Sequence, residues 1–110
     1  TALYAQVQLA LNYEAKRHLS HSSPVQQPQE LAQTIVQDFA NTLPSIRRLL
    51  DGHVRAAYEG DPAAHSVDGV LLCYPGIPAI IYHRTAHQLY AQVPLLSRII
   101  SELAHSATGI

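Results

Sequence analysis

The chain has 110 residues, 47% of them hydrophobic and 14% charged, with a formal net charge of −1. This composition fits one globular domain or part of one, and it excludes the basic surface by which proteins hold nucleic acids or anionic membranes. A single cysteine excludes an internal disulfide and a multi-thiolate metal site, and no apolar run reaches the roughly 18 residues of a membrane span, so we expect a cytoplasmic protein.

The first predicted element is an amphipathic helix near the start of the chain. Apolar residues recur there at the three- and four-residue spacing of one helix face: Leu3, Val7, Ala10 and Leu11. Residues 20–30 then bring two prolines, a cluster of serines and several glutamines, a composition typical of a loop.

Two further helices are predicted between Glu30 and Gly60. Apolar residues again follow helical spacing from Glu30, but Pro44 lacks a backbone N–H, so we expect it to interrupt the second helix and to begin a third. The third helix carries charges that alternate in sign at four-residue intervals and predict a solvated face: Arg47, Asp51, Arg55 and Glu59.

The remaining elements are predicted from prolines and a helix cap. Asp61 before Pro62 is expected to act as an N-cap and open the next helix. The run "YPGIP" at 74–78 cannot continue that helix and predicts a corner, after which a helix runs to Tyr90. Pro94 begins the last one. With no strand pattern, we predict an all-α bundle of five or six helices.

The candidate chemistry in the residues themselves is limited. His83 and His87 stand at i, i+4 and could share a cation, but spacing indicates no third ligand, so no metal site is predicted. Cys73 has no basic neighbour in sequence that would activate its thiol, and we expect it to act as a small hydrophobic residue. The residues alone therefore indicate a helical domain whose apolar stripes favour a partner, such as a free-standing oligomerisation or interaction module.

Three motifs extend the argument: "AAYEGDPAA", "CYPGIxAxxxHRxAHxLY" and "PxxxRIIxExAHSxTGI". Through them, residues 43–110 resemble the N-terminal helical domain of bacterial serine O-acetyltransferases, whereas residues 1–42 match only in being helical. The resemblance implies that residues 1–110 form an N-terminal helical assembly domain. It also implies that a left-handed parallel β-helix of hexapeptide repeats follows Ile110 and is absent from this sequence.

The family transfers acetyl from acetyl-CoA to L-serine, which gives O-acetylserine for cysteine biosynthesis. Its catalytic histidine, the aspartate that orients it and the coenzyme A groove lie in the β-helix. The resemblance therefore implies that these 110 residues contain no catalytic residue, bind no cofactor and are inactive alone. His105 lies in "HSATG", which resembles the motif around the catalytic histidine, but it precedes the first repeat and is not expected to take that role.

The resemblance implies substrate contacts for three residues. Asp61 matches the aspartate of the family's Asp-Pro-Ala motif, which contacts the amino acid substrate, although a role as N-cap alone is the alternative. Arg84 and His87 match a similar Arg/His pair, and Arg84 could instead pair with a carboxylate between helices. The implied partners are further copies of the chain, as a trimer or a dimer of trimers, and O-acetylserine sulfhydrylase, bound through a C-terminal tail that this sequence lacks.

Overall fold

The fold is helical throughout the described part of the chain. A computed structural model describes residues 2–17 and 28–110, and these ranges contain no strand. Five helices follow in order: α1 Ala2–Arg17, α2 Pro28–Gly60, α3 Val67–Cys73, α4 Gly76–Tyr90 and α5 Pro94–Thr108. The predicted all-α class is confirmed. Of the loop predicted at 20–30, residues 20–27 lie outside the described residues and residues 28–30 begin α2.

The predicted break at Pro44 is wrong, because α2 continues through this proline for 33 residues. Pro44 deprives the carbonyl of Ala40, four residues earlier, of its usual N–H donor. Ala40 and Pro44 are both exposed, so solvent reaches the freed carbonyl and the missing bond leaves no buried polar group. Side chains on both halves of α2 pack against other helices, and this packing outweighs the local cost of the proline.

A first core cluster joins α1, α2, α4 and α5. Its buried members are Val7, Ala10, Leu11, Ala32, Ile35, Leu89, Val93 and Leu96. The buried hydroxyl of Ser97 donates to the carbonyl of Ala86 over 2.8 Å and ties α5 to α4. The apolar face predicted for the first helix is thereby confirmed as part of the core.

A second, smaller cluster joins α2, α3 and α4 through Val54, Val70 and Ile77. With only seven residues, α3 is too short to persist in water by itself, so its stability depends on these contacts and on its caps. At its start, the hydroxyl oxygen of Ser66 accepts the N–H of Gly69 over 2.9 Å. This cluster positions the segment between α2 and α4 that contains the candidate site.

The predicted corner and the predicted start of the last helix are both confirmed. α3 ends at Cys73, α4 begins at Gly76, and the carbonyl of Tyr74 between them accepts the N–H of Ile77 over 3.0 Å. Pro94 is the first residue of α5. At the other end of α5, Gly109 adopts a φ of 74°, a left-handed conformation that glycine reaches without steric cost.

The molecule is elongated and leaves much apolar surface exposed. Its extents are 58 × 27 × 20 Å and its radius of gyration is 17.2 Å, against about 13 Å for a compact domain of this length. Large apolar side chains stand in solvent on several helices, with Leu72 of α3 exposed by 79%. None of the five described helices combines the length and the apolar character that crossing a bilayer requires.

Candidate functional site

The candidate site is the turn that connects α2 to α3. Asp61 immediately follows α2, and its Oδ1 accepts the N–H of Ala63 over 2.9 Å. Its backbone carbonyl accepts the N–H of Ala64 over 3.0 Å, which closes a β-turn with Pro62 in the second position, where proline is favoured. The carboxylate therefore stabilises a turn.

The prediction that Asp61 is a helix N-cap is wrong. The helix that follows begins at Val67, and Ser66 is its N-cap. Asp61 and Ser66 are both residue types that cap helices, but the turn that begins at Asp61 is not continued into a helix. The carboxylate consequently lies just after the C-terminal end of α2 and caps no helix N-terminus.

The second oxygen of Asp61 is bound by a residue of the corner between α3 and α4. The hydroxyl of Tyr74 donates a short hydrogen bond to Oδ2 of Asp61 across 13 positions of sequence. This bond, together with the weaker effect of the Ala63 N–H, holds the pKa of the Asp61 carboxyl below its ordinary value of 3.8. The same bond raises the pKa of the Tyr74 phenol above 10.0.

The site therefore presents a carboxylate that is ionised at neutral pH and oriented through both oxygens. Each oxygen receives one protein donor and retains acceptor capacity for a ligand. Among residues 2–17 and 28–110, the only salt bridge joins Asp51 to Arg55, so Asp61 has no cationic partner there. Such a carboxylate suits a ligand ammonium group through charge-assisted hydrogen bonds.

Arg84 lies in the middle of α4, and its partner is a histidine of α2. Its guanidinium nitrogen Nη2 lies 3.1 Å from Nε2 of His53. Because a guanidinium can only donate, Nε2 of His53 is the acceptor in this contact. The buried Nε of Arg84 has no hydrogen-bond partner among the described residues. The alternative pairing of Arg84 with a carboxylate is not found within that part of the chain.

His87 lies one turn after Arg84, exposed to solvent, and stacks on His83. The two ring centroids are 6.1 Å apart and the ring planes differ by 27°. In the part of the chain that is described, no group of three or more histidine, cysteine or acidic side chains is arranged to hold a metal ion. No hydrogen bond links Asp61 to Arg84 or to His87 there, so these three predicted site residues do not form one bonded cluster.

Cys73 and His105 lie at the ends of two different helices, away from Asp61 in sequence. Cys73, expected to act as a small hydrophobic residue, is the last residue of the short helix α3 and is exposed to solvent. His105 lies near the end of α5, where its ring nitrogen Nδ1 is 3.0 Å from the carbonyl oxygen of Ile110. This contact keeps its ring at the C-terminal end of the helix.

Sequence reasoning missed Tyr74 and His53 as partners of the candidate residues. Tyr74 was predicted only as part of a corner, and no local pattern connects it to a carboxylate 13 residues earlier. His53 lies 31 residues before Arg84 on a different helix. Both contacts arise from the packing of α2, α3 and α4 around the second core cluster.

Known proteins resemble this chain over the helical region. The plasmid serine acetyltransferase of Synechococcus elongatus is 51% identical over 98 residues, which is 86% of this chain and 31% of that protein. A second serine acetyltransferase of Synechococcus elongatus is 44% identical over 64 residues, and that of Bacillus subtilis is 41% identical over 64 residues. Each of these two matches covers 57% of this chain and, respectively, 26% and 30% of the relative. No protein-family model matches the chain.

These matches confirm the resemblance: the chain is similar to part of the serine acetyltransferases. It spans about a third or less of the length of the relatives it matches. The 98-residue match is longer than residues 43–110, so the similarity also extends into the first 42 residues, where sequence analysis found only shared helical character.

Proposed function

We propose that this chain is the N-terminal helical part of a serine O-acetyltransferase, which transfers acetyl from acetyl-CoA to L-serine and yields O-acetylserine for cysteine biosynthesis. The 51% identity over 98 residues to a protein named serine acetyltransferase is the observation that carries the proposal. The oriented carboxylate of Asp61, in the segment that resembles the family's Asp-Pro-Ala motif, adds chemical support.

The proposed reaction needs groups that this chain does not supply. The hydroxyl of serine is a poor nucleophile at neutral pH until a general base removes its proton as it attacks the thioester. In the proposed complete enzyme, the histidine base, its aspartate and the coenzyme A groove belong to a β-helix after residue 110. The 110 residues alone are therefore expected to bind no cofactor and to be inactive.

The part of the chemistry proposed for this chain is recognition of the amino acid. The ionised carboxylate of Asp61 would bind the ammonium group of serine, or that of cysteine acting as a feedback inhibitor. Arg84 and His87 are proposed as secondary contacts near the same substrate, for which family resemblance is the support.

Substitution of Asp61 in the complete enzyme tests this role. Asp61→Ala should raise the KM for serine by about tenfold or more, because a charge-assisted contact is lost, and leave the KM for acetyl-CoA within about twofold. Asp68→Ala, which removes an exposed carboxylate from α3, is the matched control and should leave both constants unchanged. An unchanged KM for serine with only a lower Tm would leave Asp61 as a turn residue.

Assembly is the second function proposed for the chain, as a trimer or a dimer of trimers. An apolar groove of about 220 Å³ between α2, α3 and α4 supports it, with Val67, Leu71 and Ile81 exposed along its walls. Light scattering should give a multimer for the complete protein and a smaller species for Leu71→Glu. A free-standing interaction module would show the same association without serine acetylation.

Binding of O-acetylserine sulfhydrylase and a cytoplasmic location are proposed from resemblance alone.

A further inference from the structure

We propose that Tyr74 is a positioning residue for substrate recognition, holding the carboxylate of Asp61 in the orientation that receives the substrate ammonium group. This inference rests on the proposed function, because it assigns to Tyr74 a role that acts only through Asp61. Tyr74 itself is not expected to touch the substrate.

The position of Tyr74 makes its hydroxyl a fixed donor. Its ring packs partly buried against the second core cluster of Val54, Val70 and Ile77. Its backbone is held on both sides, since its N–H donates to the carbonyl of Val70 over 3.2 Å and its carbonyl accepts from Ile77 over 3.0 Å. The phenol therefore reaches Asp61 from a rigid base, with little side-chain freedom left to lose.

Two hydrogen-bond donors, one for each oxygen, orient the carboxylate of Asp61. The N–H of Ala63 binds Oδ1 from within the same turn, and the hydroxyl of Tyr74 binds Oδ2 from the neighbouring corner. With a single donor, the carboxylate plane can rotate about the bond to its Cβ atom. With two donors from separate segments, the plane is fixed and the remaining lone pairs keep one direction.

The donor and the acceptor keep the required charges over a wide pH range. The carboxylate is ionised above the lowered pKa of Asp61, and the phenol keeps its proton below the raised pKa of Tyr74. At neutral pH the contact is therefore a neutral donor against an anion. It orients the carboxylate of Asp61 and leaves its negative charge in place. A lysine or arginine at position 74 would instead neutralise that charge.

Tyr74→Phe in the complete enzyme tests the inference, since it removes the hydroxyl and keeps the ring in the core. The KM for serine should rise about three- to tenfold through loss of one hydrogen bond, with kcat and the KM for acetyl-CoA within about twofold. Tyr13→Phe makes the same deletion at an exposed position of α1 and should change none of these constants. In an Asp61→Ala background, Tyr74→Phe should add no further rise, because no carboxylate remains to be oriented.

The pH profile supplies a readout that a purely structural role would not move. The acidic limb of kcat/KM for serine should shift to higher pH in Tyr74→Phe, because Asp61 loses the donor that lowers its pKa. A spectrophotometric titration is independent of activity. One phenol should titrate above pH 10.0, disappear in Tyr74→Phe and move back toward its ordinary pKa in Asp61→Asn.

The outcomes separate the inference from the proposed function. If Asp61→Ala raises the KM for serine while Tyr74→Phe behaves like Tyr13→Phe, the role of Tyr74 is refuted and the proposed function stands. If Asp61→Ala leaves the KM for serine unchanged, the proposed role of Asp61 fails and that of Tyr74 fails with it. A titration without the displaced phenol overturns the inference whatever the activity.

Discussion

Replacement of Pro44 tests the finding that α2 is one continuous helix. Pro44→Ala restores an N–H opposite the carbonyl of Ala40 and removes the ring from the middle of the helix. Both positions are exposed, so the substitution leaves no cavity and removes no core contact. It therefore changes the backbone alone.

The expected gain follows from two opposing terms. Proline is about 3 kcal/mol less favourable than alanine inside a helix, which favours the variant. Proline also restricts the unfolded chain, and losing that restriction costs up to about 1 kcal/mol. The free energy of unfolding should therefore rise by about 2 kcal/mol.

Urea unfolding of the complete protein, followed by circular dichroism, measures the change. Ser45→Ala is the matched control, because it places alanine at the next exposed position of α2 and should add at most about 0.5 kcal/mol. Hydrogen exchange at residues 40–48 should slow in Pro44→Ala. A loss of stability, or a gain no larger than that of Ser45→Ala, would refute the continuous helix, because a chain that turns at Pro44 gains nothing from helical geometry there.

Two further predictions concern the core and the candidate site. Leu89 is exposed by only 1% in the first core cluster, so Leu89→Ala should lower the free energy of unfolding by about 2–5 kcal/mol. Leu103 is exposed by 60%, and Leu103→Ala should change the free energy of unfolding by at most about 0.5 kcal/mol. Equal losses would contradict the assigned core. The Asp61–Tyr74 bond should stabilise the fold fully above pH 3.8 and lose its effect as pH falls through the lowered pKa of Asp61, and it should be lost again as pH rises through the raised pKa of Tyr74. The stability difference between the natural chain and Tyr74→Phe should therefore shrink at both extremes, and a difference independent of pH would argue against the bond.

The helix faces could be predicted from the sequence because they depend on local periodicity. Val7 and Leu11 lie on one face of α1 by spacing alone, and both are core residues. Pro94 was predictable as a helix start because a proline at the first position costs no intrahelical bond. In each case the local preference and the tertiary packing agree.

The continuity of α2 could not be predicted, because a local rule and tertiary packing conflict at Pro44. The proline favours a break, while Ile35 on one side and Val54 on the other are each anchored in a different core cluster. Nothing local to Pro44 reveals that both anchors exist. Packing contacts that are distant in sequence decide the outcome.

The geometry of the candidate site was only partly predictable. Asp61 is identified through a resemblance, but its local pattern is equally that of a helix cap, and Ser66, five residues later, is the residue that caps α3. The bond from Tyr74 depends on how α3 packs, since α3 returns the chain to within reach of Asp61. A local sequence pattern cannot predict a contact of this kind.

The course of α2 also has a mechanical consequence. Residues of α2 before Pro44 pack in the first core cluster, and residues after Pro44 pack in the second, just before Asp61. The backbone hydrogen bond missing at Pro44 lowers the resistance of the helix to bending at this point. From there to Gly60 the helix is about 24 Å long, so a bend of about 10° displaces its end by about 4 Å. A bend at Pro44 would therefore move the Asp61 turn relative to α1 and the first core cluster.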